Sequence, residues 1–206
     1  MEKFTTVIGP AAPLLRQNID TDMIIPMQRM LDHERGELGR FALEPLRFLA
    51  DGSENPDFPL HRTVYRGAPI LITGDNFGCG SSRETAVWAL QGMGIKVVIA
   101  PSFGDIFYNN CFKNGVLPIV LDEDTVATLA AASAGGPTSV DLAAGTIRPP
   151  NGKAIGFAVP PVQREALLEG LDEIDITRRR MEEIRAFQAR DRQARPWIYD
   201  ITDDPG

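Results

Sequence analysis

Pro69-Ile-Leu-Ile-Thr-Gly-Asp-Asn-Phe-Gly-Cys-Gly-Ser-Ser-Arg-Glu84 runs from an apolar segment into a glycine-rich turn. Residues 83–93 then place Ala86, Val87, Trp88, Ala89, Leu90 and Met93 in an apolar helical stripe. A short apolar run with no polar face reads as a strand buried on both sides. The order repeats downstream as a strand over 96–100, a helix over 103–114 and a strand over 116–120. Strands alternating with helices specify parallel βαβ units, so the chain is expected to be α/β.

Outward from this core the pattern weakens. Residues 4–8 alternate like a strand, which Pro10 and Pro13 are expected to end. Residues 18–26 read as a turn leading into a short apolar stretch. Residues 27–67 carry many charges and little periodicity, and are expected to form a long mobile segment with one helix over 37–49. Beyond the core, 123–132 is an alanine-rich helix. Val140-Asp-Leu142, Thr146-Ile-Arg148 and residues 154–159 form a small antiparallel portion with a turn at Pro150-Asn-Gly152. Helices follow over 164–171 and 177–189, and the tail from Pro196 reads as an extended arm. No internal repeat is present. The expectation is one domain over 1–206, with a motif core at 18–121 and a C-terminal helical arm over about 161–206.

Composition excludes several partners. With 43% hydrophobic and 24% charged residues, the chain has the balance of a soluble globular protein. Its net charge of -7 leaves no basic stripe for nucleic acid. Arg178-Arg-Arg180 is followed by Glu182 and Glu183, the pattern of an exposed mixed-charge helix face. No stretch has the length of a membrane span, and the N-terminal residues lack an apolar signal region, so a cytoplasmic protein is expected. The two cysteines, Cys79 and Cys111, are expected to be free thiols, Cys79 lining the pocket and Cys111 in the core. His33 and His61 lack ligand-like spacing and are expected on the surface.

The turn at 74–84 suits an anion. Glycines let backbone approach a ligand closely, a helix N-terminus presents N–H groups, and Arg83 supplies a planar fork that matches carboxylate or phosphate. The phosphate-loop pattern requires lysine where Gly80 precedes Ser81, and the dinucleotide fingerprint requires glycine where Arg83 stands. A small carboxylate therefore fits better than a nucleotide. Ser81-Ser-Arg-Glu84 also satisfies the capping-box pattern, in which Ser81 caps the helix and Glu84 reaches back to it.

Three motifs, Asn18-Ile-Asp-Thr-Asp-Met-Ile-Ile-Pro26, Asp75-Asn-Phe-Gly-Cys-Gly-Ser-Ser-Arg-Glu84 and Val97-Val-Ile-Ala-Pro-Ser-Phe-Gly-Asp-Ile-Phe-Tyr108, resemble those of isopropylmalate dehydratase small subunits, in the aconitase superfamily. The last continues into Asn114-Gly-Val-Leu-Pro-Ile-Val-Leu121, and Gly170-Leu-Asp-Glu-Ile-Asp-Ile-Thr177 fits as well. The resemblance implies a swivelling β/β/α domain and a hydro-lyase that isomerises 2-isopropylmalate to 3-isopropylmalate in leucine biosynthesis. It implies a 4Fe–4S cluster held by three cysteines. Two cysteines cannot supply three thiolates, so no cofactor or metal is expected on this chain, and the cluster is expected on a large partner subunit. It further implies Ser81 as the catalytic base, with Ser82, Arg83, Asp22 and Arg35 binding a hydroxy-dicarboxylate. A loop containing Met27, Arg29, Met30 and Leu31 is implied to set specificity. Asp20 is read as the turn-forming member of Asp20-Thr-Asp22. Two departures, Thr85 for the family's histidine and Arg29-Met30 for its aromatic–leucine pair, keep 2-methylmalate (citraconate chemistry) and homocitrate open as substrates. A non-catalytic carboxylate-binding module is the rival from another class.

Overall fold

The computed structural model describes residues 1–81 and 83–199. Residues 1–170 form one compact unit, and residues 171 onward form a second. The strands are β1 (Thr6–Gly9), β2 (Ala11–Leu14), β3 (Ile70–Thr73), β4 (Val97–Ala100), β5 (Leu117–Val120), β6 (Thr138–Asp141), β7 (Thr146–Arg148) and β8 (Ile155–Gly156). The helices of the first unit are α1 (Thr21–Ile24), α2 (Met27–Asp32), α3 (Glu44–Arg47), α4 (Glu84–Gly92), α5 (Asp105–Lys113), α6 (Glu123–Ala132) and α7 (Pro161–Glu169).

The parallel sheet has the order β2-β3-β4-β5 and is covered on both faces. Successive strand side chains point to opposite faces. Leu71, Val98 and Ala100 thus join a core with Val87 and Leu90 of α4 and Phe107 and Cys111 of α5. Ile70, Ile72, Val97, Ile99, Leu117 and Ile119 join a second core with Val126 and Leu129 of α6. Val140, Leu142 and Ile147 bring the antiparallel sheet, ordered β1-β6-β7-β8, into that second core. The alternating strands and helices and the small antiparallel portion stand as the sequence specifies, with ends moved by one or two residues, except that the strand expected over 154–159 is only Ile155–Gly156.

Several expectations are corrected. Pro13 does not end the sheet, because it lies in edge strand β2, which pairs with β3 alone, and an edge tolerates a missing N–H. The helix expected over 37–49 is replaced by a 3-10 turn, Arg35–Phe41, and by α3. Leu43 separates them at φ 56°, fully buried, with its N–H donating to Ile24 O at 2.8 Å. Residues 27–67 as a whole form short helices and 3-10 turns that bury Leu38, Ala42, Leu43, Phe58, Leu60 and Tyr65 in the first core. Gly39 abuts α4 so closely that a Cβ would lie 2.2 Å from the Gly92 carbonyl carbon. Finally, His61 is half-buried rather than solvated, its ring 5.0 Å from that of Phe58 and its Nδ1 3.0 Å from Asn55 O, with Nε2 buried.

In the second unit, α8 (Glu173–Arg178) begins with an Asp172–Asp175 capping box, and α9 (Met181–Ala194) follows. The arm expected to extend from Pro196 starts as a 3-10 turn, Pro196–Ile198, and the Tyr199 hydroxyl donates to Asp191 at 2.8 Å. No helix among the described residues is long and apolar enough to cross a membrane.

Candidate active site at the carboxyl edge of the parallel sheet

Chain leaving the carboxyl ends of β2, β3 and β4 meets at one edge, the place where open α/β sheets bind ligands. The Asn18 N–H donates to Asp75 O at 2.9 Å, and the Gly78 N–H to Ile19 O at 2.7 Å. The Asn76 N–H donates to the Ser102 hydroxyl at 2.9 Å. Asn18 and Asn76 both adopt left-handed backbone, at φ 54° and 57°, and their side chains bond at 2.8 Å. Asparagine tolerates that region better than most residues, so the two turns lock together at little cost. Gly78 has φ 72°, and a Cβ there would lie 2.2 Å from the Phe107 ring. This position requires glycine for conformation and for space.

The interlock sets Asp20-Thr-Asp22 beside residues 79–83. Asp20 caps α1, its Oδ1 accepting from the Met23 N–H at 2.7 Å, which is the turn-forming role read from the sequence. The Thr21 N–H donates to Cys79 O at 3.0 Å. Asp22 forms an ion pair with the Nη1 edge of Arg83. The Arg83 side chain is 13% exposed, whereas that of Asp22 is 60% exposed. Ser81 is exposed beside them, and buried Thr21 donates its hydroxyl to Ser81 O at 3.0 Å. Asp22, Ser81 and Arg83 are therefore brought together. Ser82 lies outside the described residues.

The capping reading of Ser81 is corrected. Helix α4 starts at Glu84 with Arg83 at its N-cap position, in extended backbone. The Glu84 carboxylate does not reach back but accepts from Asn114 Nδ2 at 2.7 Å. The Ser81 hydroxyl is not engaged at the helix end.

Arg35 belongs to a different cluster. Its guanidinium lies 4.5 Å above the Trp88 ring and donates to Asn114 Oδ1 at 3.2 Å. Asn114 also accepts from Trp88 Nε1 at 2.8 Å, and is linked to Glu84, the residue after Arg83. In α2, Met27 and Leu31 are 54% and 76% exposed. Arg29 grips Glu44 through Nε at 2.8 Å and Nη2 at 2.7 Å, with its guanidinium over Phe41. Met30 packs against the first core and its sulfur accepts from the Thr85 hydroxyl at 2.6 Å. That contact joins α2 to the first turn of α4, two residues after Arg83.

Cys79 is half-buried; burial raises its thiol pKa, and the Asp20 charge adds to the shift. Cys111 is wholly buried, which pushes its thiol well up. Among the described residues no group of three or more His, Cys, Asp or Glu side chains is placed to hold a metal ion. Sequence reasoning missed Thr21 and Asn114 as members of these clusters. Their partners lie 60 and 30 residues away, and neither residue carries a local signal of that contact.

Comparison with known proteins agrees with this architecture. Residues 1–124 match the family model of the aconitase C-terminal domain. The 3-isopropylmalate dehydratase small subunit of Rhodospirillum centenum is 54% identical over 200 residues, covering 96% of this chain and 98% of the relative. That of Jannaschia sp. is 52% identical over 201 residues, 96% of this chain and 100% of the relative. The crystal structure of 3-isopropylmalate dehydratase from Methanocaldococcus jannaschii superposes with a TM-score of 0.65 at 27% identity, covering 89% of this chain and 99% of that one. The chain belongs to the family of 3-isopropylmalate dehydratase small subunits, built on the aconitase C-terminal domain.

Proposed function

We propose that this chain is the small subunit of a hydro-lyase that isomerises 2-isopropylmalate to 3-isopropylmalate in leucine biosynthesis, with Ser81 as the base. The observation that carries the proposal is the juxtaposition of exposed Ser81 with the Arg83–Asp22 pair, on a chain that matches the named small subunits over 96% of its length.

The reaction removes water from one carbon pair and returns it with the hydroxyl on the neighbouring carbon. Arg83 presents five N–H donors, of which Asp22 engages the Nη1 edge, so the fork retains donors for a substrate carboxylate. Ser82 is assigned as a second carboxylate ligand. With the carboxylate held, Ser81 Oγ, as the alkoxide, takes the proton from the adjacent carbon as the C–O bond breaks and its electron pair leaves with the hydroxyl. In the second half the same oxygen gives the proton to the carbon that lost the hydroxyl while the hydroxyl adds to the carbon that lost the proton, which restores the Ser81 anion. A serine oxygen serves as a base where its anion is stabilised, and the Arg83 cation and the α4 N-terminus are the local sources of that stabilisation.

A 4Fe–4S cluster does not fit this chain. Three thiolates are required, Cys111 is enclosed in the core, and Cys79 is a single half-buried thiol. The Lewis acid that eases departure of the hydroxyl is therefore assigned to a large subunit. The exposure of Ser81 and Asp22 supports such a partner, since a base acting on a weakly acidic C–H needs a surface that excludes water.

The substituent on the third carbon is read as an alkyl group. Arg29 is already matched by both oxygens of Glu44, which leaves Met30 and its apolar neighbours to meet the substrate. Each buried CH₂ of an isopropyl group contributes about 0.8 kcal/mol against such a surface. Homocitrate would instead place a carboxylate where the available cation is already paired.

The test is Ser81→Ala in the reconstituted complex. Loss of the base should lower kcat on the order of 10²–10⁴-fold while the subunits still co-purify. Nearly full turnover would favour a carboxylate-binding module without chemistry.

A further inference from the structure

We propose that Thr21 is the positioning residue for the Ser81 base, its hydroxyl alternating between the Ser81 carbonyl and the Ser81 Oγ. The inference rests on Ser81 being the base. Thr21 is 1% exposed and fixed at both ends: its N–H donates to Cys79 O at 3.0 Å, and the Asp20 cap anchors the start of α1. Its β-branched side chain has a restricted χ1, so the hydroxyl stays on the Ser81 side. From there Oγ1 donates to Ser81 O at 3.0 Å and lies 3.5 Å from Ser81 Oγ.

These two distances describe a hydroxyl within reach of two acceptors. While Ser81 carries its proton, the Thr21 proton points at the carbonyl, and the Thr21 oxygen offers a lone pair to the Ser81 hydroxyl. When Ser81 Oγ is anionic, rotation about the Thr21 Cβ–Oγ1 bond turns the same proton onto it. No covalent bond changes and the proton stays on Thr21. A hydrogen bond to an ionised oxygen is roughly twice as strong as a neutral one, so the anion draws the proton from the carbonyl. The carbonyl gives up one neutral hydrogen bond, which the stronger bond to the anion outweighs. Thr21 therefore orients the resting base and stabilises its active form without touching substrate.

The experiment compares Thr21→Val, Thr21→Ala and Thr21→Ser with the wild-type and Ser81→Ala complexes, using 2-isopropylmalate with hydrogen or deuterium at the abstracted position. Removal of the hydroxyl should lower kcat about 10- to 100-fold, at or below the loss of one oxyanion-hole donor, and leave KM nearly unchanged. The deuterium effect on kcat should rise, because proton abstraction becomes slower relative to other steps. Thr21→Ser should restore most of kcat. Thr21→Ala gives the same comparison without the added methyl. Normal turnover in the Val and Ala variants, a loss confined to KM, or failure of Ser to restore kcat would overturn the proposal. Undiminished turnover in Ser81→Ala would instead overturn the base assignment, which separates the two failures.

Discussion

Arg83 sits where local rules disfavour it, a cation at the N-cap position of a helix whose dipole repels positive charge. Its side chain is mostly buried and is neutralised by a carboxylate that is itself largely exposed, so a substrate anion can approach the pair from solvent. The planar fork, more than the charge, matters in this arrangement, because Asp22 and a substrate must share it. Arg83→Lys keeps the charge and removes the fork. We expect KM for the reconstituted enzyme to rise on the order of tenfold to a hundredfold, the equivalent of losing a charge-assisted bond of about 1.5–3 kcal/mol. Titration with substrate checks this, and an unchanged KM would mean that Arg83 serves Asp22 alone. That Asp22, Ser81 and Arg83 stand together follows from two local motifs that the sequence displays. The Thr21–Ser81 contact is not displayed there, since it spans 60 residues and depends on the interlocked Asn18 and Asn76 turns. Arg35 shows the reverse case: the sequence offers it as a carboxylate ligand, while the fold sets it over Trp88 and against Asn114.

At the scale of elements, legibility followed burial. Strands β3 and β4 are enclosed on both faces and appear as unbroken apolar runs, which is why the parallel core could be read directly. Strand β2 was hidden by Pro13, and residues 27–67 by their division into turns too short to show a period. Helix α6 was read with its ends in place, because Asp122 marks its start. Asp122 Oδ1 accepts from the Thr125 N–H at 2.8 Å and Oδ2 from the Thr125 hydroxyl at 2.7 Å. The hydroxyl bond, followed by the backbone bond, lowers the Asp122 pKa. A folded-state value below the unfolded one means that the cap stabilises the fold fully above the unfolded carboxylate range, near pH 3.9, and that this is lost as pH falls through the folded value. Asp122→Ala should therefore lower Tm at pH 7, and the gap from wild type should close as the pH is taken below that range. Thermal melts across pH test the sign directly. A gap that widens on acidification would show that the ionised cap is not what α6 uses.

At the scale of the whole molecule, the proposed function needs more than the described residues supply. Both cores, both sheets and the Asp22–Ser81–Arg83 cluster lie within residues 1–170, so the cluster is set by contacts inside that unit. Among the described residues nothing buries Ser81, and two cysteines cannot supply three thiolates for a cluster. Alone, it should be colourless and should not turn over 2-isopropylmalate. Mixed with a cluster-bearing large subunit, it should do so, and a lone chain that is brown and active would refute the division of labour. The same mixture decides the substrate. With Arg29 held by both oxygens of Glu44, kcat/KM should rank 2-isopropylmalate above 2-methylmalate, the difference set by the two extra CH₂-sized groups at about 0.8 kcal/mol each, or roughly tenfold to twentyfold. Homocitrate should rank last, because its added carboxylate would have to pull Arg29 from Glu44 or go unpaired, and either outcome opposes binding. If homocitrate ranks first and Arg29→Leu abolishes that preference, the Glu44 pair opens in the working enzyme and Arg29 reads the substrate.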